Sequence, residues 1–251
     1  MVLSAIAALA LAAAGDCGLP PLRSGGLPWR PGEVLSYDFD LMGIVKAGTL
    51  SLEAQPAMFQ GTQLPVLARL RNTSVFAKIR RIEGVAMSWV DARTLLPERY
   101  RDEIAEDGVA KISDARLRAK PGEVTIENRY GQKVESSTFE QHGEVLDVLA
   151  GAYYLRAADL RPGLEMCFDL VATRRYWRVR GKVAPRPERV ESGVGLHDAV
   201  RVDLTVTRAD KPEVKRALHV WIATEPRRYL VAAVSEIGLG PVRLMLARAR
   251  P

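Results

Sequence analysis

Histidine, cysteine and the common nucleotide-binding and hydrolase motifs are scarce or missing in this chain of 251 residues. Its three histidines, His142, His197 and His219, form neither a Cys/His cluster nor an i, i+4 pair, so the sequence predicts no metal site. It also has no G-x-S-x-G elbow and no glycine-rich phosphate loop. We therefore expect no cofactor and no enzymatic activity.

Long apolar runs are also missing, except at positions 1–14, which read MVLSAIAALALAAA. Such a run is too short to cross a bilayer core of about 30 Å as a helix. It resembles the apolar part of a signal peptide, with Ala12–Ala14 as the cleavage site, although no Lys or Arg precedes it. A buried N-terminal helix is the alternative. The signal-peptide interpretation predicts an exported, periplasmic protein.

The two cysteines, Cys17 and Cys167, leave three possibilities. In an oxidising compartment an even count favours a disulfide, which would tie the N-terminus to a strand. Alternatively, Leu11–Cys17 resembles a lipidation site of an outer-membrane lipoprotein, although Asp16 stands where a small residue is usual. An acylated sulfur cannot form a disulfide, so these two fates exclude each other. Two free thiols are the third possibility.

Basic residues are numerous but spread along the chain, with 36 Lys plus Arg, a net charge of +6 and a pI near 9.5. A nucleic-acid-binding protein usually concentrates them on one element with aromatic stacking partners. The segment Arg174–Arg180 comes closest, but alternating arginines fit the solvent face of a strand. We expect no nucleic-acid partner, whereas peripheral contact with anionic lipid headgroups stays open.

The chain after the N-terminus reads as a Pro/Gly-rich arm at 15–32 followed by a single β-rich domain at 33–251. Alternating apolar residues such as Leu35, Tyr37 and Phe39 predict about twelve strands, and Gly131-Gln132 predicts a two-residue hairpin loop. Ala184–Gly195 reads as a loop. A sheet of this many strands tends to curl, so we predict a mainly β fold with one curled antiparallel sheet, a half-barrel or barrel-like structure.

One main helix is predicted at 147–160, with Asp147 as its N-cap and Arg161-Pro162-Gly163 as its end. It has almost no polar face, which predicts that it lies inside the curled sheet. Arg156 is the exception, because a buried cation needs a carboxylate partner, a route to solvent or an anionic ligand. A ligand-binding interior would use the following side chains: Tyr37, Phe39, Trp89, Tyr153, Tyr154, Arg156 and Trp221.

Three blocks resemble the bacterial exported proteins grouped as domain of unknown function 3108. They are Pro31–Tyr37 with Gly43 and Ala47-Gly48, then Asp147–Arg156 with Leu160 and Pro162-Gly163, then Val220–Ile222 through Gly238. The resemblance covers roughly Leu27 to Leu246, and it departs at Ala223–Pro226, where the family often has an Asp. It implies an antiparallel β protein of the cell envelope, similar to the half-barrels of the lipoprotein carriers LolA and LolB, and it supplies no catalytic residue.

Three functions follow as alternatives. The first is a periplasmic binding or carrier protein for a hydrophobic or amphipathic ligand, such as a lipid or lipoprotein, with a cavity of several hundred Å³. The second is a non-enzymatic assembly or scaffolding protein with an envelope protein partner, docked on an apolar patch or an open sheet edge. The third is a hydrolase, which would need His142 or His197 within hydrogen-bond reach of an acid and a hydroxyl. We favour the first.

Overall fold

The computed structural model describes residues 17–41, 45–78, 81–172, 174–237 and 240–251. The predicted signal peptide at 1–14, the start of the arm at 15–16, and Gly43 and Gly238 of the family resemblance lie outside the described residues. Among the described residues, no helix has the length and apolar character needed to cross a bilayer.

The described chain forms sixteen strands and two α-helices. In chain order they are β1 Val34–Leu41, β2 Val45–Ala54, β3 Gln63–Asn72, α1 Ser74–Ala77, β4 Ile82–Asp91, β5 Pro97–Glu106, β6 Val109–Lys120, β7 Glu123–Tyr130, β8 Lys133–Glu140, β9 Val145–Asp147, α2 Val148–Ala157, β10 Glu165–Ala172, β11 Arg175–Val183, β12 Glu188–Ser192, β13 Gly195–Arg208, β14 Lys211–Ala223, β15 Leu230–Ile237 and β16 Gly240–Arg250. A short 3₁₀ turn occupies Phe59–Gly61.

All sixteen strands belong to one sheet, in the order β8-β7-β6-β5-β4-β3-β2-β1-β16-β15-β14-β13-β11-β10-β9, with β12 paired to β13. Neighbours are antiparallel except β9 and β10, which run parallel. The pairing of β1 with β16 brings the start of the sheet beside its last strand. This arrangement confirms the prediction of a mainly β fold with one large sheet.

The sheet curls until side chains near its two ends meet, but among the described residues β8 and β9 do not pair with each other. Phe139 of β8 stacks on Tyr176 of β11, with ring centroids 4.9 Å apart. Asn128 of β7 donates its side-chain amide to the carbonyl of Arg174 at 3.3 Å. The structure is therefore barrel-like in curvature and open in hydrogen bonding.

Three details correct the sequence-based expectations. The strand count is sixteen rather than about twelve, and the predicted loop Ala184–Gly195 contains β12, which pairs with β13. The helix predicted at 147–160 ends at Ala157, because Ala158 is extended and forms a β-bridge with Leu22. The hairpin loop predicted at Gly131-Gln132 is confirmed between β7 and β8.

The N-terminal arm packs on the domain rather than hanging free. Trp29 is buried, and its ring meets Tyr153 edge-on at 4.8 Å. Backbone bonds from Arg23 to the carbonyl of Ala157 and from Asp159 to the carbonyl of Pro21 fix the arm across the end of α2. Helix α2 is therefore held between the sheet on one side and this arm on the other.

Candidate functional site

Asp147 is the N-cap of helix α2, as predicted, because its carboxylate accepts from the backbone N–H groups of Leu149 and Ala150 at 2.8 and 2.9 Å. Ser88 of β4 donates to the other oxygen of the same carboxylate at 2.5 Å. Burial raises the pKa of Asp147 to about 7 in spite of these three hydrogen bonds. The N-cap thus fastens the helix to β4 and carries a proton-sensitive charge.

An apolar cavity of about 190 Å³ lies between α2 and the sheet. The helix contributes five lining residues: Val148, Leu149, Gly151, Ala152 and Leu155. The sheet contributes the others from the strands on the far side: Leu50, Leu52, Phe168, Leu170, Val179, Leu204, Val206, Leu218, Val220, Leu230, Ala233 and Leu244. Val148 is 44% exposed, so the cavity meets solvent at the N-terminal end of α2. Every lining side chain is uncharged and apolar, so the cavity suits a hydrocarbon group.

The other face of α2 packs against a small cavity of about 40 Å³. Trp29 and Tyr153 lie on it together with Val66 and Val90 of the sheet. The helix therefore separates one well-packed side from one side that leaves space, and only the second side has room for part of a ligand.

Arg156 has the carboxylate partner that its burial requires. Its guanidinium group donates to both oxygens of Glu33 at 2.7 and 3.1 Å, and both side chains are almost completely buried. It also donates to the carbonyl groups of Arg227 and Arg228, and the ring of Trp29 lies 5.1 Å away. Arg156 is therefore part of a structural ion pair, one of the three alternatives that the sequence left open.

Arg228 completes this polar centre by inserting its own guanidinium group at the end of α2. It donates to the carbonyl groups of Arg156 and Ala158 at 2.6 and 3.1 Å, which satisfies acceptors that the helix end leaves free. Burial lowers the pKa of Arg228 to about 10, with the nearby cations adding to the effect. The loop after β14 is thereby locked to the helix.

The predicted ligand-binding residues fall into separate groups. Tyr37, Tyr153 and Arg156 meet around Glu33; both tyrosine hydroxyls are buried without a hydrogen-bond partner among the described residues, and burial raises both tyrosine pKa values. Tyr154 donates to the carbonyl of Pro20 at 2.9 Å.

The remaining three predicted residues lie elsewhere on the sheet. Phe39 packs over Gly48 on β2, where any side chain beyond hydrogen would collide with the Phe39 ring. Trp89 is half-buried beside Arg99, whose guanidinium carbon is 5.2 Å from the Trp89 ring. Trp221 donates its ring N–H to Glu188 of β12 at 2.8 Å. None of the seven, all within the described ranges, lines the cavity of about 190 Å³.

Sequence reasoning missed the leucines and valines that line this cavity. Their alternation marks them as inward-facing, and Val200, Val202, Leu204 and Val206 on β13 are one example, but the same pattern also describes a filled core. Only Leu204 and Val206 of that strand line the cavity. The spacing of apolar residues thus predicts which side chains face inward, but it does not predict the cavity.

Cys17 and Cys167 form a disulfide, with Cα atoms 5.4 Å apart. The backbone N–H of Cys167 also donates to the carbonyl of Gly18 at 3.0 Å. The bond therefore fixes the N-terminal arm to β10, which forms part of the cavity wall. In this form the sulfur of Cys17 is not available for acylation.

A cluster of buried polar side chains lies on the inner face of β4–β7, away from the cavity. Asp102, Ser113 and Asn128 are direct cross-strand neighbours on β5, β6 and β7. Each has one buried oxygen without a hydrogen-bond partner among the described residues. Burial raises the pKa of Asp102 to about 6, although a hydrogen bond from Tyr100 opposes the shift. The structure thus places its buried polar groups and its empty space on different parts of one inner face.

The described residues contain no group of three or more His, Cys, Asp or Glu side chains suited to a metal ion. His142 contacts Arg178 at 2.6 Å, and His219 contacts Asp203 at 2.5 Å. His197 contacts a hydroxyl and a carboxylate at once.

Comparison with protein families agrees with the geometry. The model described as "Protein of unknown function (DUF3108)" matches residues 36–247. The chain belongs to this family. A search of curated proteins finds no match.

One solved structure has a similar fold. The DUF3108 chain is similar to a β-barrel-like protein of domain of unknown function DUF1849 from Brucella abortus, with 13% identity and a TM-score of 0.57 over 87% of this chain and 97% of that one. A candidate exported protein with a YmcC-like fold from Bacteroides fragilis matches at 10% identity and a TM-score of 0.36, over 94% of this chain and 100% of that one. At 13% identity, the likeness to the DUF1849 protein shows the fold alone.

Proposed function

We propose that this DUF3108 protein is an exported, periplasmic binding or carrier protein that holds the hydrocarbon part of a hydrophobic or amphipathic ligand between α2 and the sheet. The cavity of about 190 Å³ with its apolar lining carries the proposal. Apolar cavities of about 150 Å³ stay free of water and take up apolar molecules. Holding a hydrocarbon group in this way requires no catalytic side chain.

The size of the cavity limits what enters it. Ligand pockets for whole small molecules usually measure about 300–1,000 Å³, so this space fits a segment of an acyl chain, with any polar headgroup left outside near Val148. Each methylene group that is buried contributes roughly 0.8 kcal/mol. A chain of several methylenes therefore supplies a useful affinity without a single polar contact.

Export is supported by the apolar segment at 1–14 and by the disulfide between Cys17 and Cys167. Disulfides persist in oxidising compartments such as the periplasm. Fractionation of cells that express the full chain tests this part, with the protein expected in the periplasmic fraction and at the mass of a processed, unacylated chain.

Gly151 offers a direct test of the binding site. A Cβ atom there would meet only Leu170 and Leu146, at 3.9 and 4.0 Å, so Gly151→Leu fits and directs its side chain into the cavity. We expect it to weaken binding of the fluorescent fatty acid cis-parinaric acid at least tenfold, because the new side chain replaces several ligand methylenes at roughly 0.8 kcal/mol each. The melting temperature should stay equal or rise, since Leu favours a helix over Gly by roughly 0.8 kcal/mol.

Gly26→Leu is the matched control, because a Cβ atom at Gly26 meets nothing within 4 Å. It should bind cis-parinaric acid like the wild type. Native mass spectrometry of gently purified wild type should also show a co-purified lipid. A wild type that binds no fatty acid and carries no bound mass contradicts the proposal, as does a Gly151→Leu variant with unchanged affinity.

The scaffolding alternative is favoured by a separate feature, the edge strand β8. Lys133–Glu140 ends the sheet order, and Val134 on it is 51% exposed. An open edge can accept a strand from another protein, although the charged side chains of β8 are the kind that discourage such pairing. In-cell crosslinking from position 134 that returns no protein would count against this alternative.

A further inference from the structure

We propose that Ser192, His197 and Glu225 form a nucleophile, a general base and a positioning carboxylate that cleave a carboxylic ester. The Oγ atom of Ser192 lies 3.1 Å from Nε2 of His197, and Nδ1 of the same ring lies 3.1 Å from Oε1 of Glu225. Glu225 only accepts hydrogen bonds when ionised, so it selects the tautomer that carries the proton on Nδ1 and leaves Nε2 free to accept from Ser192. This order of groups is the one that activates a serine hydroxyl.

The three residues come from elements that hold them firmly. Ser192 ends β12, and His197 lies three residues into β13, so one hairpin carries both. Glu225 lies in the loop after β14, where Arg228 donates its backbone N–H to the Glu225 carbonyl at 2.9 Å. Thr224 of the same loop donates to the carbonyl of Asp198 at 2.8 Å. The imidazole is buried, which shields its hydrogen bonds from water.

The tip of this hairpin is pinned against β16. Gly193 donates its backbone N–H to the carbonyl of Leu246 at 2.8 Å, and a Cβ atom at position 193 would lie 2.4 Å from the carbonyl oxygen of Ala247. Only glycine therefore fits there. Val194 donates its backbone N–H to Ser192 Oγ at 3.2 Å, so a backbone donor lies at the nucleophile itself.

A groove of about 420 Å³ runs along the tip of this hairpin, next in sequence to Ser192, which does not itself line it. Gly193 and Val194 form its wall nearest to Ser192, Ala247 and Ala249 contribute apolar surface, and Arg248 and Arg250 contribute positive charge. The apolar surface suits a short acyl group, and the two guanidinium groups favour an ester that carries an anionic group. The groove is separate from the cavity beside α2, so this site is independent of the proposed carrier function.

The reaction that this geometry supports is transfer of an acyl group to Ser192 and then to water. Oγ attacks the ester carbonyl carbon while its proton passes to Nε2 of His197, and the carbonyl electron pair moves to oxygen. When that pair returns, the C–O bond to the alcohol breaks, and the alcohol leaves with the proton from Nε2. Water then attacks the acyl group by the same route, which releases a carboxylic acid and restores Ser192.

The Ser192 hydroxyl also lies 3.2 Å from the carbonyl of Gly195, so its proton has two acceptors at rest. Only the hydrogen bond to His197 activates the hydroxyl as a nucleophile. Among the described histidines, His197 alone contacts both a hydroxyl and a carboxylate; His219 contacts Asp203, and His142 contacts Arg178. His219 therefore serves as a comparison, because among the described residues it contacts a carboxylate but no serine hydroxyl.

A fluorophosphonate probe tests the proposal, because attack by an activated serine forms an O–P bond and releases fluoride. We expect one adduct on the folded full-length protein, located at Ser192 by peptide mass spectrometry. Ser192→Ala should abolish it, and His197→Ala should slow it at least tenfold, with partial recovery when imidazole is added. Recovery by imidazole reports a missing base and would not follow from a structural role.

The role of Glu225 is tested by three variants at one position. Glu225→Ala should slow labelling about tenfold, and Glu225→Gln should slow it less, because an amide oxygen still accepts from Nδ1. Glu225→Asp should recover part of the loss. Hydrolysis of 4-nitrophenyl acetate and of the anionic 4-nitrophenyl hemisuccinate should follow the same order, with the hemisuccinate preferred by the wild type and not by Arg248→Ala/Arg250→Ala.

His219→Ala is the control and should label like the wild type. Ser235, whose hydroxyl donates to the carbonyl of Ala217, is an internal control that should remain unlabelled. Labelling of the folded wild type that is no faster than labelling of Ser192→Ala overturns the proposal, and so does equal labelling of Ser192 and Ser235. Binding of cis-parinaric acid should be the same in Ser192→Ala and wild type, so the carrier proposal stands or falls separately.

Discussion

Two regions of the curled sheet have inner faces of opposite polarity. The inner face of β2, β10, β11 and β13–β16 is lined by apolar side chains and leaves a cavity of about 190 Å³ beside α2. The inner face of β4–β7 carries Ser88, Asp102, Ser113 and Asn128, all buried. Asp147 at the start of α2 joins this second group through its bond from Ser88. The two regions share a backbone architecture, so side-chain chemistry alone distinguishes them.

This difference in polarity gives the two regions different functional properties. An apolar surface gains from any hydrocarbon that covers it, whereas buried carboxyl groups respond to protons. Helix α2 lies between the regions, with the cavity on one face and β3 and β4 on the other. A change in either region therefore reaches the same helix, and variants that affect only one region show how far the two are independent.

The largest expected effect comes from the buried ion pair that Arg156 of α2 forms with Glu33. Arg156→Ala leaves the Glu33 carboxylate buried without its bidentate partner. Breaking a buried pair in this way costs about 3–5 kcal/mol, and Trp29 and Tyr153 also lose their contact with the guanidinium group. Urea denaturation should show this loss in the free energy of unfolding.

The control is the double variant Glu33→Leu/Arg156→Leu, which removes both charges. It should recover much of the stability, because an apolar pair of similar volume is often no worse than a buried ion pair. If Arg156→Ala costs less than about 1 kcal/mol, water or another cation reaches Glu33, and the surroundings of the ion pair are not as dry as the contacts indicate.

The β architecture could be predicted from the sequence because alternation repeats within single strands. Leu35 and Tyr37 face inward as the pattern indicates, and both are fully buried. Two of the strands that the sequence did not indicate escaped detection for local reasons: β9 has three residues, too few to show a period, and β12 follows Pro185 and Pro187. The N-cap Asp147 was predictable because it acts on its own helix.

The sequence left the Cys17–Cys167 disulfide and a carboxylate partner for Arg156 as possibilities, but it could not decide between the alternatives or identify most partners, because these depend on contacts between distant parts of the chain. Glu33 and Arg156 are 123 residues apart, and Cys17 and Cys167 are 150 apart. Glu225 lies in a turn, where no periodicity marks a side chain as a partner of His197. A cavity is still harder to foresee, since it is the space that packed side chains leave.

Two serines on the inner face of β4–β7 sharpen the comparison at a smaller scale. Ser88 donates to Asp147, so Ser88→Ala leaves one carboxylate oxygen without a donor and should cost about 1.5–3 kcal/mol at pH 8. Ser113 has no hydrogen-bond partner among the described residues, so Ser113→Ala should change the free energy of unfolding by less than about 0.5 kcal/mol or stabilise the protein. Equal losses for both variants would mean that Ser113 has a partner of equal strength, such as a bound water molecule.

The smallest effect is a pH dependence that only the polar region should show. The pKa of Asp147 is about 7 in the folded protein and about 3.9 in an unfolded chain, so the folded state holds the proton more tightly. The stability that follows is complete below about pH 4 and is lost as the pH rises through about 7. Asp147→Asn keeps an N-cap oxygen and removes the titration. Between pH 6 and pH 8 the wild type should therefore lose on the order of 1–2 kcal/mol relative to Asp147→Asn in urea denaturation. Other carboxyl groups titrate in both proteins, so their contributions cancel in this difference.

Leu204→Met in the cavity wall should leave the wild-type pH dependence unchanged, because the apolar lining contains no group to titrate. If Asp147→Asn and the wild type have parallel pH profiles, Asp147 is ionised throughout this range, and solvent reaches the polar region after all.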